Sequence, residues 1–268
     1  MEDANAEHRT PITGDDDVRN TDIVIVGGGP AGLSAAIWLG RYLHRVVLVD
    51  SGDPRNWQTR GIHGYLGIPV CTPAELRASG RDEARKYGVV LIDDEVCTIE
   101  HHADERFRFT LNGGAVIESR RVLLAFGIKD IWPNVPGLEH VYGDTAHHCP
   151  DCDGYEARDK KVVVIASGRS AVGMALSLTT WTRQIVICTD GQPADIDAVN
   201  LAKLDALNIP VLETKITGLR AQASEVRSLD LEGGMVLDCE RIFFAVGQYP
   251  ADDLAERLGC TRDHEGLV

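Results

Sequence analysis

The sequence predicts an α/β protein made of two successive nucleotide-type domains, on three observations. The apolar, largely β-branched run Ile23 to Val26 ends in glycines, continues into apolar residues at helical spacing from Ala31 to Tyr42, and leads to a second apolar run, Val46 to Val49. The same order returns later as Val162 to Ala166, a turn at Ser167-Gly168, a helix from about Arg169 to Thr180 and the run Ile185 to Cys188. The two turns start at Gly27 and Ala166, 139 residues apart, which is the spacing of whole domains and not of a short tandem repeat. Strands that are apolar throughout, without alternation, belong to a parallel sheet covered on both faces.

The remaining elements follow in order. Residues 1–20 carry six acids (Glu2, Asp3, Glu7, Asp15, Asp16 and Asp17) against Arg9 and Arg19, and read as an acidic flexible tail. A helix is expected between Thr72 and Gly88: Thr72 caps it, Pro73 suits its first turn, Glu75 stands three residues past the cap and Gly88 stops it. Short strands are expected within 89–99, at 107–111 and at 115–117, with Asn112-Gly113-Gly114 turning between the last two. Arg121 to Gly127 adds a buried strand, and Pro133, Pro136 and Gly137 punctuate the passage to the second domain. Strands near 209–212, 226–231 and 242–246 complete that domain, and Gly247-Gln248-Tyr249-Pro250 marks its exit.

Charge excludes two classes of function. The chain has 27 Lys and Arg against 41 Asp and Glu, a formal net charge of −14, so neither nucleic acid nor an anionic membrane surface is an expected partner. No apolar stretch reaches the roughly 18 residues of a membrane-spanning helix. The polar N-terminus lacks the order of a secretion signal, and a cytoplasmic protein is expected. Seven cysteines, scattered and odd in number, are not a disulfide scaffold.

Gly27-Gly28-Gly29-Pro30-Ala31-Gly32 satisfies G-x-G-x-x-G between a strand and a helix, the Rossmann-like dinucleotide turn. Its first glycine allows the turn, its second lets the backbone approach a pyrophosphate, and its third permits close helix packing. Asp50 ends the next strand 23 residues after Gly27, where an acid accepts hydrogen bonds from an adenosine ribose.

Only Cys149 and Cys152 are close in sequence, as Cys149-Pro150-Asp151-Cys152 followed by Asp153. Such a pair closes a small disulfide, and a position near a helix start lowers a thiolate pKa and favours exchange with another disulfide. Asp153 is placed to move protons. A zinc site is the main alternative because His147 and His148 stand directly upstream, but no second cysteine pair completes it and no metal is expected. An inert thiol pair is the other.

The second glycine turn is degraded: Ala166-Ser167-Gly168-Arg169-Ser170-Ala171 lacks the first glycine and keeps Gly168 and Ala171. Asp190 follows the next strand without clustered arginines, which suits an unmodified ribose better than a 2′-phosphate and so NADH better than NADPH. A domain that has kept its fold and lost this ligand accounts for the same residues. Trp38, Trp57, Trp132 and Trp181 are expected to pack in the core, Cys71, Cys97, Cys188, Cys239 and Cys260 to behave as small buried hydrophobes, and Asp93-Asp94-Glu95 to be a solvated face.

These motifs, with Ala125-Phe126-Gly127 before the domain crossing and Ala245 to Pro250 at the return, resemble the low-molecular-weight thioredoxin reductases, FAD-dependent pyridine nucleotide-disulfide oxidoreductases, from about Thr21 onwards. Arg55-Asn56, His63 to Gly67, Pro73 to Leu76 and Cys152 to Glu156 are similar to the thioredoxin-reductase-like branch that includes dithiol oxidases. The resemblance implies two Rossmann-like dinucleotide-binding domains, the second inserted into the first. An FAD-binding domain would span 21–132, a pyridine-nucleotide-type domain carrying C-x-x-C would span 133–248, and 249–268 would be the return stub of a truncated FAD domain. It also implies a homodimer.

Carried over by position, Gly27, Gly29, Pro30, Ala31 and Gly32 would hold the FAD pyrophosphate, Asp50 its ribose and Val96 the adenine region through the backbone. Gly127 would lie near the flavin, with Ser51, Arg55, Asn56 and His63 completing the FAD set and Gly168 serving the second turn. Cys152 would face the flavin and Cys149 the substrate, with Asp153 as acid–base and His148 as a substrate-facing base. The implied activity is a Cys149–Cys152 couple that either oxidises a small dithiol with oxygen as acceptor or reduces a thioredoxin-like disulfide. The degraded second turn favours the first, and use of NADH or NADPH stays open. The competing reading is a non-catalytic, truncated relative acting as an interaction or regulatory module.

Overall fold

The computed structural model describes residues 21–68, 70–102 and 105–261, which form two compact units. The first comprises residues 21–57, 74–129 and 250–261, and the second Gln58–Pro73 and Asp130–Tyr249. The acidic tail and residues 262–268 lie outside the described residues.

In the first unit, β1 (Thr21–Val26), α1 (Pro30–Arg41), β2 (Val46–Val49), α2 (Pro73–Lys86) and β3 (Val90–Ile92) alternate, followed by β4 (Val96–His101), β5 (Phe107–Leu111) and β6 (Val116–Leu124). They build one six-stranded sheet in the order β3-β2-β1-β6-β5-β4. Pairing is parallel from β3 to β6 and antiparallel through β6, β5 and β4. Successive residues of β1 point to opposite faces. Ile23 and Ile25 pack with Leu33, Ala36 and Ala84 of the helices, while Val24 and Val26 pack with Ile99, Phe109 and Ile117. Both faces are therefore buried, which is why the strand shows no polar alternation. The two strands expected at 115–117 and 121–127 are one strand, β6: its first half is antiparallel to β5 and its second parallel to β1, with Ser119 paired to both. The polar run Glu118-Ser119-Arg120-Arg121 reads as a break in sequence but lies at this change of partner.

The chain leaves the first unit through β7 (Ile128–Asp130). The second unit contains β8 (Ala146–His147), α3 (Pro150–Asp153), β9 (Val162–Ala166), α4 (Gly168–Leu178), β10 (Ile185–Cys188), α5 (Ala198–Ala206) and β11 (Val211–Leu212). After these come β12 (Ile216–Gln222), β13 (Glu225–Leu231), β14 (Val236–Asp238) and β15 (Arg241–Ala245). A parallel sheet runs β11-β10-β9-β15-β8, and β12-β13-β14 form an antiparallel layer. Val163, Ile165, Ile242 and Phe244 face that layer through Val226, Leu229 and Leu231. Val162, Val164 and Phe243 face α4 and α5 through Ala171, Val172, Leu178 and Leu204. The return passes through β16 (Gln248–Pro250) to α6 (Leu254–Arg257), whose Leu254 joins the core of the first unit.

Gln58–Pro73, placed in the first domain by sequence, groups with the second unit. Ile62 bridges Cys71, Arg60 pairs with Asp144, and a Cβ on Gly143 would lie 2.4 Å from the Gln58 carbonyl oxygen. Two residue classes also depart from expectation. Trp38 and Trp57 are 58 % and 63 % exposed and Trp132 is exposed, leaving Trp181 as the one indole half-buried against a core. Cys188 and Cys239 are buried, but Cys97 and Cys260 are exposed and Cys71 is half-buried. No helix among the described residues is long and apolar enough to cross a membrane.

Candidate active site

The glycines after β1 are held by close backbone approaches. Gly27 donates its amide to the Val49 carbonyl at 2.8 Å and adopts φ +107°, where a Cβ would lie 2.3 Å from the Ala125 carbonyl oxygen. A Cβ on Gly32 would lie 1.9 Å from the Gly27 carbonyl oxygen. Gly29 is the opposite case: it caps α1 without a side-chain hydrogen bond, and a Cβ there would meet nothing within 4 Å. Pro30 opens the helix, and its first turn carries no acid. An open turn of this kind, at the positive end of a 12-residue helix, is an anion cradle.

Asp50 lies beside this turn, 8 % exposed, and a Cβ on Gly28 would strike its carboxylate. Arg77 and Arg81, one helical turn apart on α2, both pair with Asp50 Oδ2, the Arg81 contact measuring 3.3 Å. Arg77 also donates to the Gly28 carbonyl at 3.3 Å. Burial alone would raise the Asp50 pKa, but the Arg77 hydrogen bond and charge, with the Gly52 and Gly28 amides, hold it below the usual carboxylate range. Sequence reasoning misses both arginines; their i, i+4 spacing on a polar helix is the available signal. Ser51 is exposed, Val96 is buried at the start of β4, and Gly127 adopts φ +77°. Arg55 and Asn56 belong to the first unit, whereas His63 groups with the second and lies 3.8 Å from Glu156.

Cys149 and Cys152 form a disulfide, with Cα atoms 5.3 Å apart. Cys149 caps α3, its Sγ accepting the Cys152 amide at 3.2 Å. Cys149 is half-buried and Cys152 exposed. Gly154 ends the turn where a Cβ would lie 2.4 Å from both the Pro150 carbonyl oxygen and the Trp181 ring, so this indole packs against the turn that carries the disulfide. Both sulfurs are bonded to each other, and no group of three or more His, Cys, Asp or Glu among the described residues is arranged to hold a metal.

Two histidines flank the pair differently. His148 is half-buried, with Nδ1 2.7 Å from the Tyr142 hydroxyl and 3.8 Å from Asp130. His147 is 5 % exposed, with Nδ1 3.4 Å from Asp153 Oδ1 and no partner for Nε2. Burial, then the charges of Arg241 and His148, push His147 down to about 4. Burial, then Glu156, push Asp153 up to about 6 against the opposing charge of His63. Asp153 is thus a carboxyl able to give or take a proton in the mildly acidic range, directly after the second cysteine.

Residues 21–268 match the pyridine nucleotide-disulphide oxidoreductases. The chain belongs to that family. It is 32 % identical over 178 residues to a thioredoxin reductase of Claviceps purpurea, covering 63 % of this chain and 56 % of that one. It is 28 % identical over 236 residues to a component of the alkyl hydroperoxide reductase of Staphylococcus aureus, covering 85 % and 46 %. Among solved structures it resembles HlmI with a TM-score of 0.86 and 33 % identity, covering 93 % of this chain and 79 % of that one. The chain spans about half the length of the curated relatives it matches.

As a thioredoxin-reductase-like member, the chain comes from a family that uses FAD. The first turn fits that cofactor: Gly29 is open to a pyrophosphate, and Asp50 is fixed beside the turn at the end of β2. The second turn is a different case. Gly168, at φ +57°, donates its amide to the Ala194 carbonyl at 2.7 Å, so the group expected to serve a dinucleotide already has a partner in its own chain.

Proposed function

We propose that this chain is an FAD-dependent dithiol/disulfide oxidoreductase that oxidises a small dithiol with oxygen as final acceptor. The observation that carries this is the closed Cys149–Cys152 pair at the first turn of α3, followed by a carboxyl raised to about 6. A substrate thiolate attacks Cys149 Sγ, the Cys149–Cys152 bond breaks, and Cys152 leaves as a thiolate. The second substrate thiol, once deprotonated, attacks the substrate sulfur bound to Cys149, which closes the substrate disulfide and releases Cys149. Asp153 and His148 take the two substrate protons and return them to the enzyme dithiol. Gly27, Gly29, Gly32 and Asp50 would hold FAD, which would supply the two-electron acceptor for the reduced pair, with oxygen as the final acceptor.

The net charge of −14 supports a partner that is neither nucleic acid nor an anionic membrane, and the reading carries a cytoplasmic homodimer. A thioredoxin-like protein as the disulfide partner is the reading to beat, and it is supported by the thioredoxin reductase relatives. Cys149→Ser in the full chain tests the core of the proposal. FAD occupancy should stay at the wild-type level while dithiothreitol-driven oxygen uptake disappears; unchanged uptake would refute the assignment.

A further inference from the structure

We infer that the segment 191–195 of the second unit fills the pyrophosphate position of its own nucleotide turn, making Ala194 and Asp195 specificity-determining residues that exclude nicotinamide dinucleotides and leave a dithiol as the electron source. The two turns of this chain give the contrast. The second glycine of the first turn, Gly29, has open space where a Cβ would stand, whereas its counterpart Gly168 is covered by the 191–195 segment. A diphosphate oxygen would have to displace the Ala194 carbonyl from the Gly168 amide, a hydrogen bond of 2.7 Å.

The segment is anchored on both sides of that contact. The Ala194 amide donates to Glu213 Oε1 at 2.7 Å, the Gln192 amide to the Thr189 carbonyl at 3.1 Å, and the Thr189 hydroxyl to the Gln192 carbonyl. Ile196 packs against the core, and Asp197 caps α5 by accepting the Asn200 amide at 2.9 Å. Asp195 adopts φ +48°, a left-handed conformation uncommon outside glycine. A Cβ on Gly168 would lie 3.6 Å from its carbonyl oxygen and 4.0 Å from its carboxylate, so a negative charge stands where another would have to enter. Asp190, in the place of the ribose acid, is held by its own chain as Asp50 is, Oδ1 accepting the Ile216 amide and Oδ2 pairing with Lys215 Nζ, each at 2.9 Å, and it does not separate the two turns. The hydrogen-bond donor and the charge are what oppose a dinucleotide at the second turn.

This inference rests on the dithiol-oxidising reading and deepens it, and the experiment separates the two. Binding of NADH and of NADPH to the FAD-loaded full chain is measured by titration calorimetry, and flavin absorbance is followed anaerobically with dithiothreitol, NADH or NADPH as reductant. Neither nucleotide should bind up to about 1 mM, the upper end of ordinary cofactor affinity, and only dithiothreitol should bleach the flavin. Asp195→Gly removes the charge and suits the positive φ, so the fold should persist. That variant should bind NADH at least tenfold more tightly than wild type and keep wild-type dithiol turnover. Tight binding of either nucleotide to the wild type, or no gain in Asp195→Gly, overturns the role of the segment. A flavin that dithiothreitol leaves oxidised overturns the dithiol-oxidising reading instead.

Discussion

Asp153→Asn should make the second unit acid-sensitive, and His147→Leu should do the reverse, because the fold shifts these two groups, 3.4 Å apart, in opposite directions. His147 titrates at about 4 in the fold against 6.5 when free, so its contribution is present above pH 6.5 and lost as pH falls through about 4. At about 1.4 kcal/mol per pH unit, that span amounts to about 3 kcal/mol. Asp153 titrates at about 6 against 3.8, so its contribution has the opposite sign: it is present below pH 3.8 and lost as pH rises through about 6. Its span is also worth about 3 kcal/mol. In the intact protein the two oppose each other between about pH 4 and 6.5, and the pair contributes little net slope there. Asp153→Asn leaves the histidine alone and should lose about 3 kcal/mol on acidification across that window, a fall in Tm of roughly 6–12 °C relative to wild type for a domain of this size. His147→Leu leaves the carboxyl alone and should gain a similar amount relative to wild type. Thermal melts of wild type and both variants from pH 4 to 7 test this. Variants whose Tm follows the wild-type pH profile in parallel would refute the two opposed shifts.

Two further outcomes concern the first unit. Gly32→Ala places a Cβ 1.9 Å from the Gly27 carbonyl oxygen, so the backbone of the turn must shift, and the purified variant should retain less than about a tenth of wild-type FAD after dialysis; full flavin absorbance would contradict the geometry. Asp50→Asn removes a charge-assisted acceptor worth roughly 1.5–3 kcal/mol and leaves Arg77 and Arg81 facing a neutral amide. FAD affinity measured by fluorescence quenching should fall by about 10- to 150-fold, and a Kd within twofold of wild type would remove Asp50 from the site.

The glycine turn, the Cys149–Cys152 disulfide and the buried strands are legible in sequence because each depends on residues a few positions apart. A glycine three before another, a cysteine at a helix cap and a β-branched run state their geometry locally. The helix α5 and the strands β12 and β14 are not legible, since Ile216-Thr217-Gly218-Leu219-Arg220 is too polar and irregular to announce a strand and β12 pairs with two register shifts. The exposed tryptophans and cysteines run against expectation because residue type alone does not say which face a neighbour covers.

By itself, then, the sequence determined the α/β plan, the glycine turn between β1 and α1 and the closeness of Cys149 and Cys152. Tertiary structure alone decided what surrounds them: Arg77 and Arg81 on Asp50 from 27 and 31 positions away, His147 against Asp153, and the Ala194 carbonyl on Gly168. The reason is that charge pairing, desolvation and occupancy of a hydrogen-bond donor depend on what the fold brings within a few ångströms, which spacing along the chain does not encode.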